Sequence, residues 1–141
     1  MAELLGEIFV RKKLVTAEQL QIALKDQAET GQFLGEILIR LKFTSEIDLL
    51  RVLADQFNTR FVELDSVRIN PSLVKLVAHN LVTEYKFMPI EMRSGVLLIA
   101  VSNPLDMWPG SVLQKKMNLT EVQVVLATKK DIEQTITKHY G

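Results

Sequence analysis

The sequence predicts an α+β protein in which a lobe of four helices, residues 1–57, precedes a small α/β sandwich lobe, residues 58–141. The first lobe is predicted by a 24-residue pattern that occurs twice, over residues 4–27 and 33–56, with apolar residues at helical spacing. The second lobe is predicted by short apolar runs that alternate with segments carrying helix-start signals. This order is expected when helices pack on one small sheet.

The two copies of the pattern are closely similar. Ten of the 24 positions are identical, at the pairs Leu5/Leu34, Gly6/Gly35, Glu7/Glu36, Ile8/Ile37, Arg11/Arg40, Lys13/Lys42, Leu20/Leu49, Leu24/Leu53, Asp26/Asp55 and Gln27/Gln56. One hairpin alone has too small an apolar face to fold, so the simplest reason for the duplication is that the hairpins bury each other's apolar faces. The alternative is a binding site made from two half-motifs, suited to a nearly two-fold symmetric ligand.

Each copy is expected to form two helices joined by a short turn. In the first copy, Thr16 is predicted to cap the second helix, and Gln19 completes a capping box. Ser45 is the counterpart of Thr16 in the second copy, with Asp48 as a weaker box partner. Gly31, between the copies, is predicted as the C-cap of the helix before it.

The second lobe is expected to begin with a strand over residues 60–64. Asn70 then precedes Pro71, a pair typical of a helix cap followed by the first helical residue. This helix is predicted to break near Asn80.

A hairpin is predicted over strands 87–92 and 95–102, and the second strand is solidly apolar, which indicates a central position in the sheet. A helix beginning at Pro109 and a strand over residues 121–127 should follow. Thr128 is predicted to cap the last helix. The lobe should therefore contain a sheet of three or four strands with helices packed on it.

Composition argues against several classes of function. The chain has 17 basic and 17 acidic residues, whereas a dedicated nucleic-acid binder usually carries a basic excess. It has no cysteine for a disulfide, a thiolate zinc site or a thiol nucleophile. No apolar run approaches the roughly 20 residues of a membrane span, and the N-terminus lacks the charge order of a signal peptide. We expect a cytoplasmic protein that neither binds nucleic acid nor inserts into a membrane.

The sequence contains no recognisable catalytic site, so we expect no enzymatic activity. His79 and His139 are the only histidines, and neither has the partners of a zinc site or a catalytic triad. No phosphate-binding motif of the form G-x-x-x-x-G-K-[ST] occurs. Trp108, the only tryptophan, is a candidate anchor for a protein partner, or alternatively a plug at the edge of the sheet.

The duplicated pattern resembles a known half-motif. In order, both copies have a Leu-Gly pair, apolar residues near the end of the first helix, two leucines and a closing glutamine. A half-motif of this kind occurs twice in the N-terminal regulatory domain of type II secretion and type IV pilus assembly ATPases, of the GspE, PilB and MshE kind. The later stretches PIEMRSGVLLIAVSNPLD and DIEQTITKHYG also resemble that domain. The resemblance implies either an excised domain or a free-standing version without the ATPase part.

In some members of that family the paired motifs bind cyclic di-GMP, and in others the domain mainly docks onto proteins of the secretion platform. The family's half-motif opens with arginine, where this chain has Leu4 and Phe33. Its middle glycine is replaced by Lys13 and Lys42. An arginine can stack on guanine and bind phosphate, so the loss of both arginines argues against cyclic di-GMP. The two lysines are either substitute ligand contacts or ordinary solvated residues at helix ends.

We therefore expect a non-catalytic regulatory module that docks onto a protein of a secretion, pilus or motility apparatus, and no cofactor. The alternative is a cyclic di-GMP receptor with altered ligand contacts. Glycines of the motif serve either ligand approach or helix packing, and its closing glutamines either bind a ligand or cap backbone. The candidate ligand or partner surface comprises Leu4, Leu5, Gly6, Lys13, Gln27, Phe33, Leu34, Gly35, Lys42 and Gln56.

Overall fold

The computed structural model describes residues 4–102 and 108–141, except for the side chains of residues 108 and 109. It divides into two compact units, Met1–Val52 and Leu53–Gly141. The first unit is helical, and the second combines helices with a sheet, as the α+β prediction requires. The fourth helix begins in the first unit and ends in the second.

The first unit consists of two helical hairpins. The helices are α1 (Leu5–Arg11), α2 (Ala17–Thr30), α3 (Leu34–Arg40) and α4 (Glu46–Gln56). The predicted capping box is present, because the Thr16 hydroxyl accepts from the Gln19 N–H at 3.1 Å and the Gln19 side chain accepts from the Thr16 N–H at 2.9 Å. Gly31 ends α2 in the left-handed conformation, as predicted.

The core of this unit is built from both copies of the repeat. Phe9 of α1 and its counterpart Leu38 of α3 are fully buried in one apolar cluster. Val15, Ala23 and Val52 complete it from the turn of the first copy and the second helices. The hairpins therefore share a single core, which is the simplest of the two reasons for the duplication.

The second unit is a three-stranded sheet with helices on both faces. Its elements are α5 (Pro71–Leu76), α6 (His79–Tyr85), β1 (Met88–Arg93), β2 (Val96–Val101), α7 (Trp108–Lys116), β3 (Glu121–Leu126) and α8 (Lys129–Tyr140). The order is β1-β2-β3, with β1 antiparallel and β3 parallel to the central β2. The apolar strand thus has the central position that its sequence indicates.

One face of the sheet packs on α5 and α8, where Ala100 and Val125 form a cluster with Ile69 and Ile132. The opposite face packs on α7, since Gly110 lies against Val122. Leu98 points to the first face, because successive side chains of a strand alternate and Leu98 packs against the same cluster as Ala100.

Two predicted elements of this unit are wrong in detail. The strand over 60–64 is reduced to an isolated parallel bridge between Phe61 and Leu126. The Leu64 N–H turns away and donates to the Asp131 carboxylate at 2.8 Å, and a short 3-10 turn begins there. A carboxylate from α8, distant in sequence, therefore stops the pairing.

The helix break falls at Val77 and Ala78 instead of near Asn80. Val77 is fully buried with extended backbone, and its carbonyl accepts a hydrogen bond from the Tyr140 hydroxyl at 3.0 Å. Because a buried carbonyl released from a helix needs such a donor, a residue 63 positions away stabilises the break in the helix.

Candidate functional site

Leu4 and Phe33 occupy equivalent positions at the start of the first helix of each copy. Each is the N-cap residue, with extended backbone and a carbonyl that accepts the first helical hydrogen bond at 3.1 Å. Neither side chain caps its helix by a hydrogen bond. Leu4 is 70% exposed and Phe33 is 65% exposed, so both present a large apolar side chain to solvent. These are the two positions at which the resembling family has arginine.

The two helix starts are neighbours within the first unit. A Cβ placed on Gly6 would lie 3.2 Å from Leu34 Cδ2, so the first turn of α1 meets the first turn of α3. Leu5 and Leu34 are partly buried and pack against the shared core. These two leucines therefore support the core, whereas Leu4 and Phe33 remain on the surface.

Gly6 and Gly35 are buried and serve helix packing. A Cβ on Gly6 would lie 2.6 Å from Leu20 Cδ1, and a Cβ on Gly35 would lie 3.0 Å from both methyl groups of Leu49. Each glycine thus lets the first helix of its copy approach the leucine of the second helix. The leucine fills the space that a ligand would need for close approach to this part of the backbone.

Lys13 and Lys42 occupy turns that have the same backbone structure. Their φ angles are 60° and 62°, in the left-handed region that favours glycine. The Lys13 N–H donates to the Val10 carbonyl at 3.0 Å, and the Lys42 N–H donates to the Ile39 carbonyl at the same distance. The left-handed backbone explains why the half-motif of the resembling family has glycine at these two positions. Both lysine side chains are exposed.

The closing glutamines of the two copies differ in their surroundings. The Gln27 side-chain amide donates to the Gln32 carbonyl at 3.1 Å, so it holds the linker between the copies. Arg40 donates to the Gln32 side-chain oxygen at 3.1 Å and forms an ion pair with Asp26. Gln56 is the exposed last residue of α4 and lies in the second unit.

Sequence analysis missed this linker network. The repeat itself contained a signal for it, because Arg40 and Asp26 both belong to pairs that are identical in the two copies. What the sequence could not supply was the pairing across copies, since Asp26 belongs to the first copy and Arg40 to the second. The network engages one N–H of the Gln27 amide, which is a candidate ligand group, in the linker.

The other candidate, Trp108, is the first residue of α7, and its side chain lies outside the described residues. Over residues 4–102 and 108–141, no cluster of histidine and acidic side chains could hold a metal ion. Among these same residues, no helix has both the length and the apolar character needed to cross a membrane. His79 stacks on Tyr140 with ring centroids 5.2 Å apart, next to the buried break between α5 and α6.

Comparison with known proteins identifies the family. The model of the MshEN domain matches residues 57–141. The type IV pilus assembly ATPase PilB of Thermus thermophilus is 30% identical over 138 residues, which are 96% of this chain and 15% of PilB. The PilB protein of Myxococcus xanthus is 24% identical over all 141 residues, which are 25% of its length. The chain thus spans a quarter or less of these relatives.

Solved structures agree with the fold. A structure of MshE with cdg superposes with a TM-score of 0.84 and 28% identity, covering 98% of this chain and 99% of that one. The N-terminal domain of XpsE superposes with a TM-score of 0.68 at 16% identity, a likeness of fold alone. Since the family model matches more than half of the chain, the chain belongs to the MshEN domain family.

Proposed function

We propose that this domain is a non-catalytic, cytoplasmic regulatory module that docks onto a protein of a secretion, pilus or motility apparatus. The observation that carries the proposal is the exposed pair Leu4 and Phe33. Two large apolar side chains at equivalent positions of a repeat are typical of a protein-binding surface, because burying each would contribute about 1.5–3 kcal/mol. The same positions hold arginine in the family's half-motif, so the departure favours an apolar partner over an anionic ligand.

Site-specific photo-crosslinking in the native cells tests this proposal. A benzoylphenylalanine residue replaces Phe33, and the control variant carries it in place of Ile22, which is also exposed but lies on α2. We expect position 33 to crosslink one component of such an apparatus and position 22 to give no such product. An absence of crosslinks at position 33, or identical products from both positions, contradicts the proposal.

A second candidate function, binding of cyclic di-GMP, is favoured by the similarity to the structure of MshE with cdg. The two copies have equivalent turns, and a nearly symmetric dinucleotide suits two equivalent half-sites. Lys13 and Lys42 would then bind phosphate in place of the missing arginines. Against this candidate, one N–H of the Gln27 amide is already bonded to the linker.

Calorimetric titration with cyclic di-GMP separates the two functions. We expect no binding heat from the natural sequence, and a dissociation constant below about 10 μM would instead establish the receptor function. The double variant Leu4→Arg/Phe33→Arg is the matched comparison, because it restores the arginines of the family's half-motif. Gain of binding by this variant would show that the turns are competent and that the apolar pair abolishes binding.

A further inference from the structure

A groove crosses one face of the sheet in the second unit. It has a volume of about 870 Å³. Its floor is formed by Ile90 and Leu98, on the face that packs on α5 and α8. One wall is α5, where Leu76 is 56% exposed beside the groove. The groove therefore offers an apolar floor and an exposed apolar side chain on its wall.

The charged residues that line the groove are mainly basic. Three arginines, Arg60, Arg68 and Arg93, line it together with one acid, Glu91. Glu91 is paired with Arg93 at 2.8 Å. Within residues 4–102 and 108–141, neither Arg60 nor Arg68 has an acid at ion-pair distance. Two basic side chains are thus available to an acidic ligand, although the chain as a whole has no net charge.

The ends of the groove are set by the sheet. Arg60 lies beyond the outer edge of β3, where its carbonyl accepts from the Leu126 N–H, and Arg93 lies at the end of β1 on the other edge. Arg60 and Arg93 thus lie at diagonally opposite corners of the sheet. The usual spacing between strands and rise per residue place their backbones roughly 20 Å apart. An extended peptide of about six residues spans that distance.

The neighbouring depression over β3 has a different character. Glu91, Glu121 and Gln123 line it, and Arg60 is the one basic side chain among its described lining residues. This depression shares Arg60 with the groove but has two acids to one base, so the groove is the more basic of the two surfaces. The edge of β1 is a poor site for adding a strand, because Pro89 lacks an N–H and the pairing register shifts between Pro89 and Glu91. A bound segment would lie across the face instead of along the edge.

We propose that this groove binds an extended acidic segment of a partner protein, with a central apolar residue against Leu98 and Leu76 and flanking carboxylates at Arg60 and Arg68. The inference rests on the proposed docking function. The surface that it uses belongs to the second unit, whereas Leu4 and Phe33 belong to the first. Charge complementarity selects the acidic segment, and the open apolar floor selects a peptide over a small anion.

An NMR titration tests the groove directly. The probe is an acetylated hexapeptide with two central leucines flanked on each side by two glutamates, and the control peptide has lysines in place of the glutamates. We expect chemical-shift changes from the acidic peptide to centre on Arg68, Leu76 and Leu98, and to weaken about tenfold when salt rises from about 25 to 250 mM. The lysine peptide should cause none of these changes.

Variants make the test specific. Arg60→Glu/Arg68→Glu should weaken binding at least about tenfold. The control Lys115→Glu/Lys116→Glu makes the same charge change on α7, which packs on the opposite face, and should leave binding unchanged. Absent or scattered shift changes, equal binding of the lysine peptide, or an unaffected arginine variant would overturn the inference. The crosslinking experiment at position 33 tests the proposed function independently. A groove that does not bind the acidic peptide would therefore not count against that function.

Discussion

Replacing Thr44 with valine removes a buried hydroxyl group that lacks a hydrogen-bond partner. Among residues 4–102 and 108–141, no group bonds to Thr44 Oγ1. Thr44 follows the turn of the second copy at the position that Val15 occupies in the first copy. Val15 is 4% exposed and belongs to the core. The repeat therefore contains its own evidence that this position accepts valine.

The expected gain follows from the cost of the unpaired hydroxyl. Burying such a group without a partner costs about 1–3 kcal/mol, and a methyl group in its place adds apolar burial. The backbone needs no adjustment, because the Thr44 N–H donates to Leu38 at 3.3 Å and the Val15 N–H donates to Phe9 at 3.4 Å. We expect Thr44→Val to raise the free energy of unfolding by about 1–2 kcal/mol. The reciprocal variant, Val15→Thr, should lower it by a similar amount.

Urea denaturation followed by circular dichroism measures both variants, and hydrogen exchange at the amides of α3 reports the first unit separately. The pair of variants is its own control, because each makes the same chemical change in the opposite direction at an equivalent position. A Thr44→Val protein no more stable than the natural one, together with a Val15→Thr protein that loses no stability, would show that the hydroxyl finds a partner in solution.

Three other predictions concern the turn, the glycine packing and the partly buried phenol of Tyr140. Lys13→Gly should raise the free energy of unfolding by up to about 1 kcal/mol, because glycine adopts the left-handed backbone of this turn without strain. Lys25→Gly, inside α2, should lower it by about 1 kcal/mol. Urea denaturation measures both variants, and a change in the same direction for both would contradict the prediction. Gly6→Ala should lower the free energy of unfolding by about 1–3 kcal/mol, because the added methyl group meets Leu20. A double-mutant cycle with Leu20→Ala should show a coupling energy of about 1 kcal/mol, and additive effects of the two substitutions would contradict this. Burial raises the pKa of Tyr140 above its ordinary value of 10.0, so its stabilising contribution is complete below pH 10.0 and is lost as pH rises through the folded-state pKa. Ultraviolet titration and the Tyr140→Phe variant test this, and ionisation at the ordinary pKa would refute it.

Local signals in the sequence predicted the ends of the helices well. Thr16, Asn70 and Thr128 each accept a hydrogen bond from a backbone N–H in the first turn of the helix that follows. A capping interaction involves residues within three positions of each other, so its residue types are visible in a short window of sequence. The C-cap at Gly31 belongs to the same class, since its left-handed backbone is a property of one residue.

The features that sequence did not predict depend on distant residues. Asp131 stops the strand near Leu64, and Tyr140 stabilises the break at Val77. In both cases one side chain of α8 satisfies a backbone group more than 60 positions earlier. No local pattern around Leu64 or Val77 indicates such a partner, because the competing strand and helix patterns are themselves reasonable.

The same distinction applies to the candidate surface. Sequence analysis identified the positions at which this chain departs from the family's half-motif, and Leu4 and Phe33 are indeed exposed. It could not establish that Leu20 fills the space beside Gly6, or that Gln27 is bonded to the linker, because both facts depend on tertiary packing.

The two copies have the same backbone structure but different side-chain environments, and this difference bears on function. The turn after α1 and the turn after α3 have equivalent backbone hydrogen bonds. The side chains at the helix starts are nevertheless leucine in one copy and phenylalanine in the other, and Arg40 joins a linker that occurs only once in the chain. A symmetric ligand gains most when both half-sites offer equal contacts, whereas a protein surface has no such requirement. The repeat thus keeps the fold and several exposed residues, such as Lys13 and Lys42, whereas the helix starts and the linker differ between the copies, as expected if those two regions contact a protein.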